Sequence, residues 1–292
     1  MVVISNDLED PMSVKKMSFE EIKNNKDHFL EVYGLKNIFS SSCCSWDDLI
    51  EIGEDFEKKR DKEYFDIIQR YIVEISAFEN VHSYRYRIKR TDSLLAKIIK
   101  KSVQREEKIT KDNYFREISD LLGIRILYIF KEDYWSIHKQ LMSKYKDQLV
   151  ENVHLKLRDG DDEKTYEDLM KKYDIKIEKN VTYRSIHYTI NSAISNISQS
   201  PKLEIQTRTI FEEGWSEINH KLVYKKSNSE NAHLEKSSRI LSELVGSCDA
   251  IGSLMKYLYD EINDKQKNDI GFDSSKETSD SIGETIRRFL MQ

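Results

Sequence analysis

The chain has 292 residues, of which 34% are charged, and its formal net charge at pH 7 is −5. No apolar stretch approaches the roughly 20 residues that a membrane span requires, and the N-terminal region lacks the apolar core of a signal peptide. These features exclude a membrane-spanning or fibrous protein and indicate a compact, helix-rich one, which we expect to be cytosolic. The three cysteines have no metal-ligand spacing and fit a reducing compartment.

The first part of the chain is predicted to be helical after a loose start that ends near residue 17. Apolar residues recur at helical spacing from Ser18 to about Tyr33 and again from Trp46 to about Phe78. We therefore predict an N-terminal helical extension over residues 1–80. A further helix is predicted in "RTDSLLAKIIKK", where Thr91 or Asp92 is the expected N-cap.

The central part, residues 81–227, contains the predicted strands. "LLGIRILYIF" (Leu121 to Phe130) is nearly continuous in apolar residues, which is typical of a strand buried on both faces. "VHLKLR", "IKIEK", "YRSIHYTI" and "LEIQTRT" predict four more strands, with a helix in "YWSIHKQLMSKY" and an acidic helix between the first two of the four. The expected fold class is α+β, a mixed sheet of about five strands flanked by helices.

The C-terminal part is again predicted to be helical. A long helix from about Phe211 to Tyr224 is expected to pack through an apolar stripe of Phe211, Trp215, Ile218 and Leu222. Beyond Asn228 the pattern predicts helix to about Asn263, followed by a polar segment and a last short helix near "TIRRFLM". Residues 228–292 are therefore assigned to a C-terminal helical extension.

Two predicted strands carry polar residues in file. In "LEIQTRT", Leu203 and Ile205 lie on one face, and the other face carries Glu204, Gln206 and Arg208. In "YRSIHYT", alternation places Tyr183, Ser185 and His187 on one face. Taken alone, each strand fits a half-exposed position with a solvated outer face. A similar polar stripe on the following helix consists of Glu213, Glu217, His220 and Tyr224, and a solvated helical face explains it equally well.

Other charged residues stand where charge is costly or concentrated. Arg125 lies inside the buried run, so it requires a partner, which a structural ion pair or a ligand would supply. Asp120 precedes that strand as a turn residue or a metal-binding carboxylate. The basic stretch from Arg85 to Lys101 fits a solvated surface or a nucleic-acid patch, but its position before a helix N-terminus favours a cradle for polyphosphate.

Five motifs over about residues 82 to 226 give the chain a family resemblance. In order, "YRIKRTDSLLAK", "DLLGIRI", "TYRSIHY", "LEIQTRT" and "HKLVYKK" resemble the synthetase motifs of the RelA/SpoT family, which makes the alarmones ppGpp and pppGpp. The resemblance covers about half of the chain and implies a nucleotidyltransferase-like mixed sheet with the active site across one face. It also implies transfer of pyrophosphate from ATP to the ribose 3'-hydroxyl of GDP or GTP, with release of AMP.

The resemblance implies roles for individual residues. Arg87 and Arg125 would stack on the two faces of the adenine, because a guanidinium is planar and delocalised. The ATP phosphates would be held by Lys89, Ser93 and Lys97. Mg2+ would be bound by Asp120 and Glu204, and Glu204 is also the candidate for accepting the proton of the attacking hydroxyl. The implied acceptor site consists of Tyr183, His187, Gln206, Arg208, His220, Tyr224 and Lys225.

The chain departs from the family pattern at several positions. Thr182 replaces the usual glycine before the tyrosine, Val223 replaces an asparagine of the small synthetases, and an acidic segment, "RDGDDEKTYEDLMKKY", replaces a basic loop. These departures concern the acceptor more than the donor. The chain contains no His-Asp dipeptide, so the hydrolase half of bifunctional members is missing, and too little chain follows the motifs for their regulatory region. We therefore expect a synthetase-only member.

Three functions remain open from the sequence. The first is a small alarmone synthetase that uses GDP or GTP. The second is a toxic relative that uses an adenine nucleotide or the 3' end of tRNA as acceptor. The third is a non-catalytic nucleotide sensor or interaction protein, against which the pair Asp120 and Glu204 argues, because a sensor needs no metal. The terminal helices are candidates for homo-oligomerisation or autoinhibition, and no membrane partner is expected.

Overall fold

The computed structural model describes residues 16–157, 175–179, 184–192, 200–224 and 232–269. Within these ranges no helix combines the length and apolar character needed to cross a membrane. Several sequence predictions lie outside the described residues, among them the loose start up to residue 15, the acidic helix, and the last helix near "TIRRFLM".

The predicted N-terminal helical layer is confirmed. It consists of α1 (Phe19–Asn24), α2 (Lys26–Val32), α3 (Lys36–Ser40), α4 (Trp46–Lys59), a π-helical turn (Arg60–Tyr64) and α5 (Phe65–Ser76). The Ser18 hydroxyl accepts from the Glu21 amide and begins α1, and Ser45 begins α4 in the same way through Asp48. In both cases the acidic side chain accepts a hydrogen bond from the backbone amide of the serine. Each helix therefore begins with a capping box, in which two backbone N–H groups that lack a partner within the helix are satisfied.

The centre of the molecule is a mixed sheet of six strands in the order β1-β2-β6-β5-β3-β4. The strands are β1 (Ser83–Ile88), β2 (Leu122–Tyr128), β3 (His154–Leu157), β4 (Lys176–Lys179), β5 (Ser185–Asn191) and β6 (Lys202–Thr209). β2 pairs in parallel with β6 and β3 with β4, and the other pairs are antiparallel. The predicted fold class is confirmed, with β1 as an additional strand.

One face of the sheet forms the main hydrophobic core. Ile124, Ile126 and Ile205 are almost completely buried on it. The connecting helices are α6 (Thr91–Lys101), α7 (Tyr114–Glu117) and α8 (Asp133–Tyr145). On this face His138 of α8 lies 2.8 Å from the Tyr188 hydroxyl, and burial lowers the pKa of His138 to about 4. A neutral imidazole therefore belongs to the core at neutral pH.

The predicted N-cap of α6 is wrong by one or two residues. The structure places Arg90 at the cap and Thr91 and Asp92 in the first turn. Both side chains are used in contacts distant in sequence, because Thr91 donates to Glu57 and Asp92 accepts from the backbone amide of Met17. These contacts attach α6 to the N-terminal layer instead of capping the helix.

The described residues after β6 form two helices, and the predicted apolar stripe of the first is wrong. α9 (Ile210–Asn219) continues as a π-helical turn (His220–Tyr224), and α10 spans Ala232–Asp269. Of the stripe only Trp215 is buried, whereas the other three residues are exposed. Trp215 donates to the carbonyl of Ser238 in α10. The other buried residues of α9 are acids, Glu212 and Glu213.

The side of α10 that packs on the domain is polar and includes a buried aspartate. Asp249 accepts a hydrogen bond of 2.9 Å from Thr209, the N-cap of α9. Burial raises the pKa of Asp249 from 3.8 to about 6; the Thr209 hydrogen bond offsets part of this rise, and the charge of Glu212 adds to it. A raised pKa means that folding favours the protonated acid, so this contribution to stability is present below pH 3.8 and is lost as the pH rises through about 6.

Asp249→Asn is therefore expected to stabilise the protein at alkaline pH. The amide keeps an acceptor for Thr209 and removes the buried charge, so the free energy of unfolding at pH 8 should rise by about 2 kcal/mol. Below pH 4 the gain should disappear. Urea unfolding of both proteins at the two pH values measures this, with Asp260→Asn on the exposed side of α10 as control. Equal stability of variant and wild type at pH 8 would contradict the prediction.

Candidate active site

The face of the sheet opposite the core carries polar residues on every described strand, with Leu127 of β2 as an apolar exception. Residues that are paired across neighbouring strands share a face, so the strand registers define this surface. Its members are Arg85 and Arg87 on β1, Gly123 and Arg125 on β2, Glu204, Gln206 and Arg208 on β6, Ser185, His187 and Thr189 on β5, His154 and Lys156 on β3, and Lys176 and Glu178 on β4. The two polar files predicted from the sequence therefore lie side by side within a larger polar surface.

The charge of Arg87 acts on both acids that were predicted to bind metal. A Cβ atom at Gly123 would come within 3.2 Å of the Arg87 Cγ, so the absence of a side chain lets the arginine lie across β2. Gly123 is paired with Glu204 on the next strand, and Arg87 Nη2 is 3.8 Å from Asp120 Oδ2. Asp120, in the turn before β2, and Glu204 on β6 are therefore both influenced by one guanidinium.

Asp120 is surrounded by positive charge at the start of β2. Its carboxylate oxygens are 3.1 Å from Lys89 Nζ and 2.9 Å from Lys97 Nζ. Burial alone would raise the pKa of Asp120, but the charges of Lys89, Lys97 and Arg87 hold it below its usual value. Ser93 lies one turn before Lys97 on the same side of α6. Its buried hydroxyl has no hydrogen-bond partner among the described residues.

Glu204 is held by two neighbours through its two oxygens. His187 Nδ1 is 3.0 Å from Oε1 and the Gln206 amide nitrogen is 3.0 Å from Oε2. Burial would raise the pKa of Glu204, but hydrogen bonds from His187 and Gln206 and the charge of Arg87 hold it well below its usual value. Burial also lowers the pKa of His187, and the nearby Glu204 offsets this lowering only in part. We therefore assign a neutral His187 that donates its Nδ1 proton to an ionised Glu204.

Gln206 is oriented by Arg208 in turn. Arg208 Nη2 donates to Gln206 Oε1 at 3.0 Å, which leaves the amide NH2 group facing Glu204. The other nitrogens of Arg208 donate to Ser185 at 3.2 Å and to Ser216 at 2.7 Å. A chain of hydrogen bonds thus runs along β6 from Arg208 to Glu204, and its far end is attached to α9.

Arg125 receives the ion pair that its buried position requires. Its Nη1 atom is 2.8 Å and 2.9 Å from the two oxygens of Glu213 on α9, and 3.6 Å from Glu217 one turn later. Arg85 Nη1 lies 2.9 Å from both acids. Glu213 and Glu217 therefore face the sheet, and a solvated helical face does not describe them.

The structure brings together most of the predicted site residues but does not describe all of them. The residues of β1, β2, β5 and β6 share the polar face, and those of α6 border it at the start of β2. His220 lies half-buried in the π-helical turn after α9. Tyr183 and Lys225 are outside the described residues, and so is the side chain of Tyr224.

Sequence reasoning assigned no function to Glu213 or Glu217, and it interpreted Arg85 as part of a polyphosphate cradle instead of as their ion-pair partner. The available signal was the spacing of the two acids by one helical turn, directly after a strand with a polar file. An acidic pair of this kind, placed next to a buried arginine, predicts a charge partner better than a solvated face does.

Comparison with known proteins agrees with this architecture. Residues 86–229 match the family model described as a region found in RelA/SpoT proteins. The GTP pyrophosphokinase YwaC of Bacillus subtilis (strain 168) is 26% identical over 166 residues, which are 56% of this chain and 68% of that protein. The crystal structure of small alarmone synthetase 1 from Bacillus subtilis is 21% identical, with a TM-score of 0.50, and the match covers 69% of this chain and 94% of that chain. At this identity the structural likeness concerns the fold.

Proposed function

Because residues 86–229 place this chain in the RelA/SpoT family, it is a pyrophosphotransferase, and we propose that it moves the pyrophosphoryl group of ATP onto the 3'-hydroxyl of GDP or GTP. In this reaction the bond between the α-phosphate oxygen and the β-phosphorus breaks, a bond from the 3'-oxygen to the β-phosphorus forms, the hydroxyl loses its proton, and AMP leaves. The observation that supports the proposal is that Asp120 and Glu204 both interact electrostatically with Arg87, next to a polar sheet face that also carries Arg125.

The geometry of the donor half supports binding of a planar ring. Arg87 and Arg125 are diagonal neighbours on adjacent antiparallel strands, since Arg125 is paired with Arg85. Diagonal neighbours are about 7 to 8 Å apart, which is roughly twice the contact distance of about 3.5 Å between stacked carbons. One aromatic ring fits between the two guanidinium planes, in accord with an adenine clamp.

The phosphates of ATP would follow at the start of α6. Lys89 and Lys97 carry the positive charge there, and the buried Ser93 hydroxyl supplies a donor within the first turn of the helix. The helix N-terminus adds the partial positive charge of its amides. Lysines that neutralise Asp120 in the structure would be shared with the phosphates when the donor is bound.

The two carboxylates fit a magnesium ion. Both are ionised at neutral pH, and Mg2+ is commonly bound by one or two carboxylates together with substrate phosphates and water. The described residues contain no cluster of three or more metal-binding side chains, so the phosphates would complete the site. When bound, Mg2+ would neutralise charge on the transferring group.

The acceptor half is supported by its position next to Glu204. His187 and Gln206 flank Glu204 on the same face, and by family resemblance Tyr183, Arg208, His220, Tyr224 and Lys225 would complete the acceptor site. Arg208 is 5% exposed and bonded through three nitrogens, which favours a part in holding Gln206. A carboxylate with a pKa as low as that of Glu204 is a weak proton acceptor, which favours its part as metal ligand.

A substrate comparison tests the proposal. The full chain is incubated with ATP, Mg2+ and, in turn, GDP, GTP, ADP or deacylated tRNA, and AMP release and labelled product are followed. We expect AMP and a pyrophosphorylated guanine nucleotide with GDP or GTP. Product only with ADP or tRNA would identify the toxic relative as correct, and no product with any acceptor would identify a nucleotide sensor.

The proposal of a homo-oligomer rests on α10. Seven residues of this helix follow a spacing of alternately three and four positions, and we call them the α10 seam: Leu241, Leu244, Cys248, Ile251, Met255, Leu258 and Ile262. This is the heptad spacing of a coiled coil. The seam lies away from the packed side of α10, and Leu244, Ile251 and Met255 are 57%, 57% and 65% exposed.

A second copy of α10 is the occupant that matches the seam in length. The seam spans about 32 Å at 1.5 Å per residue. The next longest described helix, α4, has 14 residues and packs into its own layer, so no other described helix of the chain could cover it. Self-pairing along a helix axis also gives the two-fold symmetry common in dimers.

Ile251→Glu is expected to convert the dimer to a monomer. In the paired seams the new carboxylate would face either the same carboxylate of the second subunit or an apolar residue, and an unpaired buried charge is unfavourable. Sedimentation equilibrium of the full chain measures the mass of both proteins. Tyr257→Glu introduces the same charge at an exposed residue of α10 outside the seam and should leave the mass unchanged. A wild-type protein that is monomeric at tens of micromolar would contradict the interpretation.

A further inference from the structure

Glu213 contacts arginines from three different strands. Its Oε1 atom lies 2.9 Å from Arg85 Nη1 and 2.8 Å from Arg125 Nη1. Its Oε2 atom lies 2.9 Å from Arg125 Nη1 and 3.5 Å from Arg208 Nη1. Glu213 is 6% exposed, so these contacts form in a region where charge interactions are screened little by solvent. One carboxylate on α9 therefore joins β1, β2 and β6.

Two of the arginines that Glu213 contacts belong to different parts of the proposed active site, the ATP clamp and the group of residues around Glu204. Arg125 is one side of the proposed adenine clamp. Arg208 begins the chain of hydrogen bonds that passes through Gln206 to Glu204. Among the described residues no hydrogen bond or ion pair joins Arg125 directly to Glu204, whereas Glu213 contacts both Arg125 and Arg208.

We propose that Glu213 is a positioning residue that fixes the donor clamp and the Glu204 carboxylate relative to each other. This inference rests on the proposed function, because it assigns no chemistry to Glu213 itself. The carboxylate sets the direction of the Arg125 guanidinium and, through Arg208 and Gln206, the orientation of Glu204. A transfer that depends on in-line alignment of donor and acceptor is sensitive to both.

The neighbouring acid distinguishes this role from general charge neutralisation. Glu217 also contacts Arg85 at 2.9 Å and Arg125 at 3.6 Å, but has no ion pair with Arg208 among the described residues. It is also more exposed than Glu213. Loss of Glu217 removes negative charge from the same arginines without interrupting the link to Glu204, so Glu217→Gln is a matched control.

The experiment compares Glu213→Gln with Glu217→Gln and wild type in the full chain. For Glu213→Gln we expect the KM for ATP to rise and kcat to fall, with kcat/KM reduced about 10²-fold, the scale of a misplacement near 1 Å. Glu217→Gln should raise the KM for ATP less than 10-fold and keep kcat near the wild-type value. Equal kinetics of the two variants, or a lower melting temperature of Glu213→Gln without a kinetic change, would overturn the inference.

Two further variants test the link to the ATP clamp and the link to Glu204 separately. They also test the inference if Glu213→Gln does not fold. Arg125→Ala should raise the KM for ATP. Ser216→Ala removes the 2.7 Å contact that holds Arg208 from α9, so it should lower kcat and leave the KM for ATP unchanged. A Ser216→Ala enzyme with wild-type kcat would overturn the link to Glu204. If wild type itself forms no product, the proposed function fails, and binding of a non-hydrolysable ATP analogue to Glu213→Gln still tests the link to Arg125.

Discussion

Glu204→Gln is expected to lower turnover by about 10³-fold while the protein remains folded. The glutamate is the negative charge on β6 next to Arg87, and its two oxygens accept from His187 and Gln206. The amide keeps the shape and removes the charge that a magnesium ion needs. Removal of a single preorganised electrostatic group commonly costs 10²- to 10³-fold in rate, and we expect the loss of the proposed metal ligand to lie at the upper end.

Initial rates of AMP release with saturating ATP and guanine nucleotide measure this effect, and thermal unfolding checks the fold. Glu178→Gln is the matched control, because it makes the same substitution on the same sheet face but on the edge strand β4. It should keep most of the activity. A Glu204→Gln enzyme with a tenth of the wild-type rate would contradict the metal assignment.

Asp120→Asn is expected to lower turnover to a similar degree and also to destabilise the protein. Lys89 is 3% exposed and lies 3.1 Å from the Asp120 carboxylate, so the variant removes a negative charge next to a buried ammonium. The pKa of Asp120 is lowered in the folded state. Its stabilising contribution is therefore present above its unfolded pKa of 3.8 and lost as the pH falls through the lowered value.

The two effects of Asp120→Asn have separate measurements. The difference in unfolding free energy from wild type should be present at pH 7 and shrink in strong acid. In binding assays, Mg2+ should tighten a non-hydrolysable ATP analogue on wild type but not on the variant. Glu117→Gln is the control, because Glu117 is a half-buried acid paired with Lys101 and Arg105 away from the sheet face. A variant with an unchanged Mg2+ effect would remove Asp120 from the metal site.

The sheet face could be predicted from sequence where alternation was read as strand. The polar residues on β5 and β6 were predicted to share one face of each strand because they alternate with a period of two. The register of the two strands places these polar residues next to each other. β1 was not predicted, although Tyr84, Tyr86 and Ile88 alternate with Arg85 and Arg87. The density of positive charge led to its interpretation as a basic stretch. Arginines on a strand face are compatible with burial when acids from another element meet them.

The orientation of α9 could not be predicted from apolar periodicity. That method assumes that a helix packs its apolar side inward, but α9 lies against arginines, so acids are buried on it and Phe211, Ile218 and Leu222 remain exposed. The contact from Arg85 to Glu213 spans 128 positions in the chain. No local pattern encodes such a pairing.

α9 lies between the sheet and α10 and contacts both. On one side of the helix, Glu213 forms ion pairs with arginines of the sheet. On another side, the Trp215 indole and the N-cap residue Thr209 donate hydrogen bonds to α10. α10 in turn presents the seam outward. Pairing of two subunits through the proposed seam would therefore be coupled, by way of α9, to the arginines of the proposed nucleotide clamp.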